Sequence, residues 1–197
     1  MVRAHYLLLM DILSPEEGVL AVNVARESIE AAVHCRPACL PGLPEIFEKK
    51  RGVFVTITRC GELRGCIGFP YPVIPLKDAL SGAAASAALE DPRFPPVRPQ
   101  ELPGLSIDVT ILTPPEPMTV PPGERPSRVI IGKHGLIVRS PGRSGLLLPQ
   151  VATEYDWNAV EFLHHTCMKA GLSGDCWKNP STEVLTFEGQ IFGEQGT

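Results

Sequence analysis

Residues 53–68 leave the backbone little choice of structure. Val53-Phe54-Val55-Thr56-Ile57-Thr58 is rich in β-branched side chains, which suit a pleated and partly buried strand. The four residues that follow, Arg59-Cys60-Gly61-Glu62, contain a glycine and have the length of a hairpin loop. After them comes Leu63-Arg64-Gly65-Cys66-Ile67-Gly68. The stretch therefore predicts a β-hairpin over 53–68. Side chains alternate across a strand, so Leu63, Gly65 and Ile67 share one face and Arg64, Cys66 and Gly68 the other. Positions two apart lie roughly 6.6 Å from each other, close enough for a guanidinium and a thiol to look onto one space. Glycine weakens a strand unless something must approach the backbone there. Two readings of the pair follow. Arg64 can favour the Cys66 thiolate, or Cys66 is a small packed residue while Arg64 pairs with a carboxylate.

The remaining elements fall between prolines. The chain of 197 residues contains 21 prolines, about twice the usual share of roughly 5%. They gather in connections separated by periodic apolar segments, which fits stiffened loops, as in thermophilic proteins, better than disorder. Ser14-Pro15-Glu16-Glu17 is a helix start with a capping box and proline at the first position. Its helix extends to about Val33, with Leu20, Ala21, Val24, Ala25, Ile29 and Ala32 on one side. His34 to Pro44 is a loop holding Cys35 and Cys39, and 45–50 is a short charged turn or helix. Leu76 to Glu90 is an alanine-rich helix. Ala79, Gly82, Ala83 and Ser86 on one side of it could pass close under the hairpin, and Asp91-Pro92 ends it.

Further along, Ser106 to Leu112 alternates as a half-buried strand, with Asp108 and Thr110 outward. Thr113 to Arg128 is read as a long surface excursion. Val129–Ile131 and Leu136–Val138 are read as a hairpin about a turn that leaves His134 solvated. Ser140 to Gly145 is read as a turn, and 146–148 as a buried strand. A last long helix is expected over 153–170, capped by Asp156 and stopped by Gly171, with Val160, Leu163, Cys167 and Ala170 on one face. Two strands, 184–187 and 190–192, close the chain. This order indicates an α+β fold with a mainly antiparallel sheet packed with helices.

Composition narrows the function. With 18 Lys+Arg against 22 Asp+Glu, the net charge is −4, so the basic footprint of a nucleic-acid binder is not visible in the whole chain. The apolar start from Tyr6 to Leu13 is too short to span a bilayer, contains Asp11, and lacks a cleavage pattern. The expectation is a cytoplasmic protein with no membrane contact. The six cysteines form no Cys-x-x-Cys pair and no zinc spacing with histidine, so no metal and no cofactor is expected. Consecutive His164 and His165 diverge by about 100° on a helix and make poor co-ligands. An even cysteine count is weak ground for disulfides in a cytosolic chain, hyperthermophiles excepted.

Leu63-Arg64-Gly65-Cys66-Ile67-Gly68 resembles the signature of the AMMECR-one domain family. In the same order come Asp91-Pro92-Arg93-Phe94-Pro95-Pro96-Val97 with Glu101-Leu102, and then Leu147-Leu148-Pro149-Gln150-Val151-Ala152. Trp157, Glu161-Phe162-Leu163, Cys167, Lys169-Ala170-Gly171-Leu172 and Trp177 complete the match. The likeness covers 14–193. Phe69, where small polar residues are common, and Asn158, where an acidic residue is frequent, depart from it. The resemblance implies one domain with a larger and a smaller lobe and a cleft between them. It also implies a shared pathway with Memo-like and radical-SAM proteins, and no established activity. Cys66 and Arg64 are the candidate catalytic pair, and Asp91, Arg93, Glu101 and Gln150 the candidate binding residues. Three roles are in play. One is a binding or partner protein whose cleft takes a small anion, a nucleic acid or a partner protein, with no chemistry. Another is an enzyme or redox component using Cys66 with Arg64 on a small anionic substrate; no histidine stands out as its base. The third is a motif that only maintains the hairpin. A nucleic-acid-associated regulatory role is disfavoured by the acidic balance.

Overall fold

The computed structural model describes residues 13–194. The apolar start from Tyr6, Asp11 within it, and His5 lie outside the described residues. The backbone contacts divide the chain into two units, one made of the chain up to Thr113 together with the stretch from Gln190 onward, the other of Pro114–Gly189.

The first unit opens with α1 (Pro15–Val33). Ser14 Oγ accepts from the Glu17 amide at 3.2 Å, and the Glu17 carboxylate takes the Ser14 amide at 2.8 Å, the reciprocal capping that the sequence predicts. Strands β1 (Gly52–Arg59) and β2 (Glu62–Phe69) form the expected hairpin. Its loop is the two residues Cys60-Gly61, both at positive φ (53° and 81°). Such a turn matches the twist of the flanking strands and is tighter than the four-residue loop read from sequence. β3 (Leu105–Leu112) pairs with the other side of β1, which leaves β2 at the edge. α2 (Leu76–Leu89) packs against α1, β1 and β2. Val53, Val55, Ile57, Ile107, Val109, Ala83 and Leu80 are fully buried between sheet and helices. Thr110, expected outward, is buried as well.

The second unit contains β4 (Glu116–Pro117), α3 (Arg125–Arg128), β5 (His134–Ser140), β6 (Arg143–Leu147), α4 (Pro149–Glu154) and α5 (Ala159–Lys169). It also holds most of β7 (Glu183–Gly193). β7 lies between β4 and β5: Thr186 pairs with Glu116 on one side and Leu136 on the other. Leu136, Val138, Phe162, Leu163, Cys167, Trp177 and Val184 are buried together.

Here the structure departs from the sequence reading in several places. The stretch 113–128 is not a bare excursion, because it carries β4 and the buried Arg125. Val129–Ile131 is not a strand. The hairpin is β5 with β6, turning at Pro141-Gly142, so Arg143 and Ser144 belong to a strand rather than a turn. His134 is half-buried, and its Nδ1 accepts the Ile130 amide at 3.2 Å. The helix expected over 153–170 is two helices. Asp156 takes a left-handed φ of 53° and caps nothing. Asn158 is the cap, its side-chain oxygen accepting from Val160 and Glu161 amides at 2.9 and 3.1 Å. That break turns Val160 outward, 47% exposed. The two closing strands are the single β7. The class is α+β with a mainly antiparallel sheet. Among the described residues no helix is long and apolar enough to cross a membrane.

Candidate functional site

Five of the six residues singled out by sequence meet in the first unit, around β2. The ladder between β1 and β2 slips between Ile57 and Thr58, leaving Arg64 as the extra residue of a bulge. A bulge redirects a side chain. The Arg64 guanidinium runs to Glu101, in the short 3-10 helix Pro99–Gly104, with Nε donating at 2.9 Å and Nη2 at 3.2 Å to its two carboxylate oxygens. This is a two-point fork that fixes orientation as well as charge. The Arg98 amide also donates to Glu101, at 2.9 Å. Arg64 first, then the Arg98 amide, hold the Glu101 carboxyl down at about 2. Arg64 Nη1 is buried and has no hydrogen-bond partner.

Asp91 follows α2 directly and is buried. Its Oδ2 accepts the Cys66 amide at 2.8 Å, and Arg93 Nη2 at 2.7 Å. Its Oδ1 accepts Arg93 Nε at 2.9 Å and the Arg93 amide at 3.1 Å. Arg93 Nη2 returns to the Cys66 carbonyl at 3.2 Å. The Arg93 guanidinium, followed by these amides, holds the Asp91 carboxyl well below the usual carboxylate range, against the burial that opposes it.

Cys66 is half-buried, with Sγ 3.4 Å from Thr56 Oγ1 across the ladder. The guanidinium beside Cys66 is thus that of Arg93, while Arg64 is engaged by Glu101. Gly65 faces α2, where a Cβ would overlap the Ala87 carbonyl oxygen. The small-residue side of α2 therefore does pass close under the hairpin. Gln150 belongs to the second unit, exposed near the start of α4.

Beside Arg64 lies a hollow of about 670 Å³ lined by Arg59, Arg64, Phe94, Arg98, Gln100 and Glu101, with Pro95 and Pro96. The Arg64 and Arg93 guanidinium carbons stand 6.0 and 5.5 Å from the centre of the Phe94 ring. Arg59, half-exposed, reaches Glu101 at 3.5 Å. Two arginine side chains, Arg64 and Arg59, thus reach one carboxylate, and Arg98 adds its backbone amide. Sequence reasoning missed Arg59 and Arg98, which stand in a hairpin end and a proline-flanked loop with no pattern linking them. Phe94 lay in the matched segment Asp91–Val97 without a role assigned.

A protein of Methanothermobacter thermautotrophicus is 53% identical over 93% of this chain and 97% of its own length. One of Thermococcus gammatolerans is 50% identical over 91% of each. The crystal structure of an uncharacterized protein from Pyrococcus horikoshii superposes with a TM-score of 0.82 at 44% identity, covering 93% of this chain and 94% of that one. A family model described as AMMECR1 matches residues 22–192, the span that holds the Arg64–Glu101 fork and the Asp91 clamp on Cys66, and the chain belongs to that family.

Proposed function

We propose that this protein is a binding module that holds a small anion in the arginine-lined hollow of its first unit. The observation that carries this reading is the lining of the hollow, where Arg59, Arg64 and Arg98 outnumber the one carboxylate. Guanidinium groups are forks of donors that match anionic oxygens. Glu101 holds Arg64 in place beforehand, so little ordering remains for the ligand to induce. A role beside Memo-like and radical-SAM proteins, which the family resemblance implies, fits a protein that retains or hands over such a molecule. The alternative, catalysis by Cys66, draws on its half-buried thiol, but the groups beside it are the Thr56 hydroxyl and the Arg93 guanidinium, neither of which is a base.

Calorimetric titration with inorganic phosphate, sulfate, succinate and citrate tests the proposal. Arg59 and Arg98 are exposed, so Arg59→Ala/Arg98→Ala is expected to fold normally while weakening binding by about tenfold or more, and binding should fade with added salt. No heat with any of the four anions, or equal affinity in the double variant, would refute it.

A further inference from the structure

The second unit holds chemistry that the arginine hollow does not use. Cys167 lies in the last turns of α5. The chain leaves through Gly171 in the left-handed region and returns with Cys176 at the head of the turn Cys176–Lys178. The two cysteines are joined as a disulfide, with Cα atoms 6.1 Å apart. Their surroundings are unequal. Cys167 is fully buried among Phe162, Leu163 and Trp177. Cys176 is half-buried and forms part of the wall of a polar hollow of about 400 Å³, with Ser140, Ser173, Asp175, Asn179 and Ser181 around it. Cys176 thus packs against the apolar cluster on one side and borders the hydroxyl-rich hollow on the other, whereas Cys167 is wholly enclosed.

The loop bearing Cys176 is also held by something other than the sulfur bridge. Buried Arg125 donates to the backbone carbonyls of Trp177 and Asn179 from Nη1 and, at 2.9 Å, to that of Thr182 from Nη2. The His164 ring packs so closely on Gly174 that a side chain there would collide with it. An opened disulfide thus leaves the Cys176 thiol on a loop that is still anchored beside the Cys167 thiol of α5, the arrangement a reversible pair requires.

We propose that Cys167–Cys176 is a thiol–disulfide exchange site, served through this hollow by low-molecular-mass thiols. The thiolate of a small thiol attacks Cys176 Sγ and forms a mixed disulfide there. The Cys167–Cys176 bond breaks, and Cys167 departs as a thiolate that takes up a proton. A second small thiolate attacks the thiol-derived sulfur of the mixed disulfide, releasing the small disulfide and leaving Cys176 as a thiolate that is protonated in turn. Two small thiols are oxidised to one disulfide while the protein pair gains two electrons and two protons, and the reverse sequence restores the bridge. Attack is confined to Cys176 because the other sulfur is walled off.

The test uses the native full chain with its free thiols first blocked by alkylation, then exposed to glutathione, acid-quenched and mapped by peptide mass spectrometry. Glutathione adducts are expected on Cys176 and not on Cys167. The reduction rate should be proportional to thiol concentration and flat across urea concentrations below the unfolding transition, with far-UV circular dichroism preserved after reduction. As a second arm, Cys176 in a Cys167→Ala variant should take up oxidised glutathione at least about tenfold faster than Cys167 does in Cys176→Ala. Reduction that accelerates with urea in step with global unfolding, adducts on both cysteines alike, or loss of the fold on reduction would overturn the proposal and leave the bridge as a structural staple. The wild-type arm decides even if a variant fails to fold.

Discussion

Gly65→Ala is expected to lower the unfolding free energy by about 3 kcal/mol or more, at the upper end of what overpacking costs. Gly65 pairs with Ile57 on β1 and faces the last turn of α2. A methyl group there would overlap the Ala87 carbonyl oxygen and sit 3.2 Å from its carbon. The obstacle is helix backbone, which has no rotamer to escape into. Strand and helix would have to separate, loosening a layer in which Ile57, Ala83 and Ala87 are almost wholly excluded from water. Urea unfolding followed by circular dichroism measures the loss. Gly104→Ala is the matched control, because nothing lies within 4 Å of a Cβ at that position, and it should stay within about 0.5 kcal/mol of wild type. Equal midpoints for the two variants would show that α2 does not press on the hairpin as described.

Acid should unfold the protein through the same corner. Asp91 and Glu101 both have carboxyls depressed in the folded state, Glu101 to about 2, whereas unfolded carboxyls titrate near roughly 4. For a depressed group the unfolded chain binds protons first as pH falls, so its stabilisation is complete above about pH 5 and is lost progressively on the way down through the folded value. The urea midpoint should therefore be flat from pH 7 to 5 and fall steeply from 5 to 2. Asp91→Asn keeps the shape but removes the charge. It also trades an acceptor for a donor beside the Cys66 amide and the Arg93 guanidinium. It should cost about 2–4 kcal/mol at pH 7, since buried donors lose a charged acceptor. Its midpoint should also fall less between pH 5 and 2 than that of wild type. Parallel acid limbs in the two proteins would mean that Asp91 is not among the groups that titrate on unfolding.

The parts of this molecule that were legible in its sequence are those whose causes are local. The capping box at Ser14 and Glu17, the β-branched run before Gly61, and the proline after Asp91 each act on the few residues beside them, and α1, the β1–β2 hairpin and the end of α2 lie where those rules put them. The break between α4 and α5 was legible too, had Asn158 been weighed against Asp156. Only Asn158 has an acid three residues on, Glu161, to complete the reciprocal cap. Other features have no local cause. Arg64 and Cys66 share a strand, yet the bulge sends Arg64 to Glu101, 37 residues away. Arg125 sits in what reads as a polar loop, and its burial is set by carbonyls more than 50 residues later. The bridge from Cys167 to Cys176 spans nine residues, but its closing depends on how Gly171 turns the chain, which no cysteine count reveals.

The clamp on Cys66 has a consequence for how this protein meets others. β2 is an edge strand, and the outward amide and carbonyl of an edge strand form a template on which a foreign strand can grow. At Cys66 both groups are taken, the amide by Asp91 and the carbonyl by Arg93. A side-chain plug therefore stands where an added backbone would have to bond. Peptides that bind by extending a sheet are refused at the middle of this edge, and so is a second copy of the chain trying to continue the sheet from one molecule to the next. The Asp-Pro-Arg-Phe segment thus occupies the backbone groups at Cys66 that sheet extension would need.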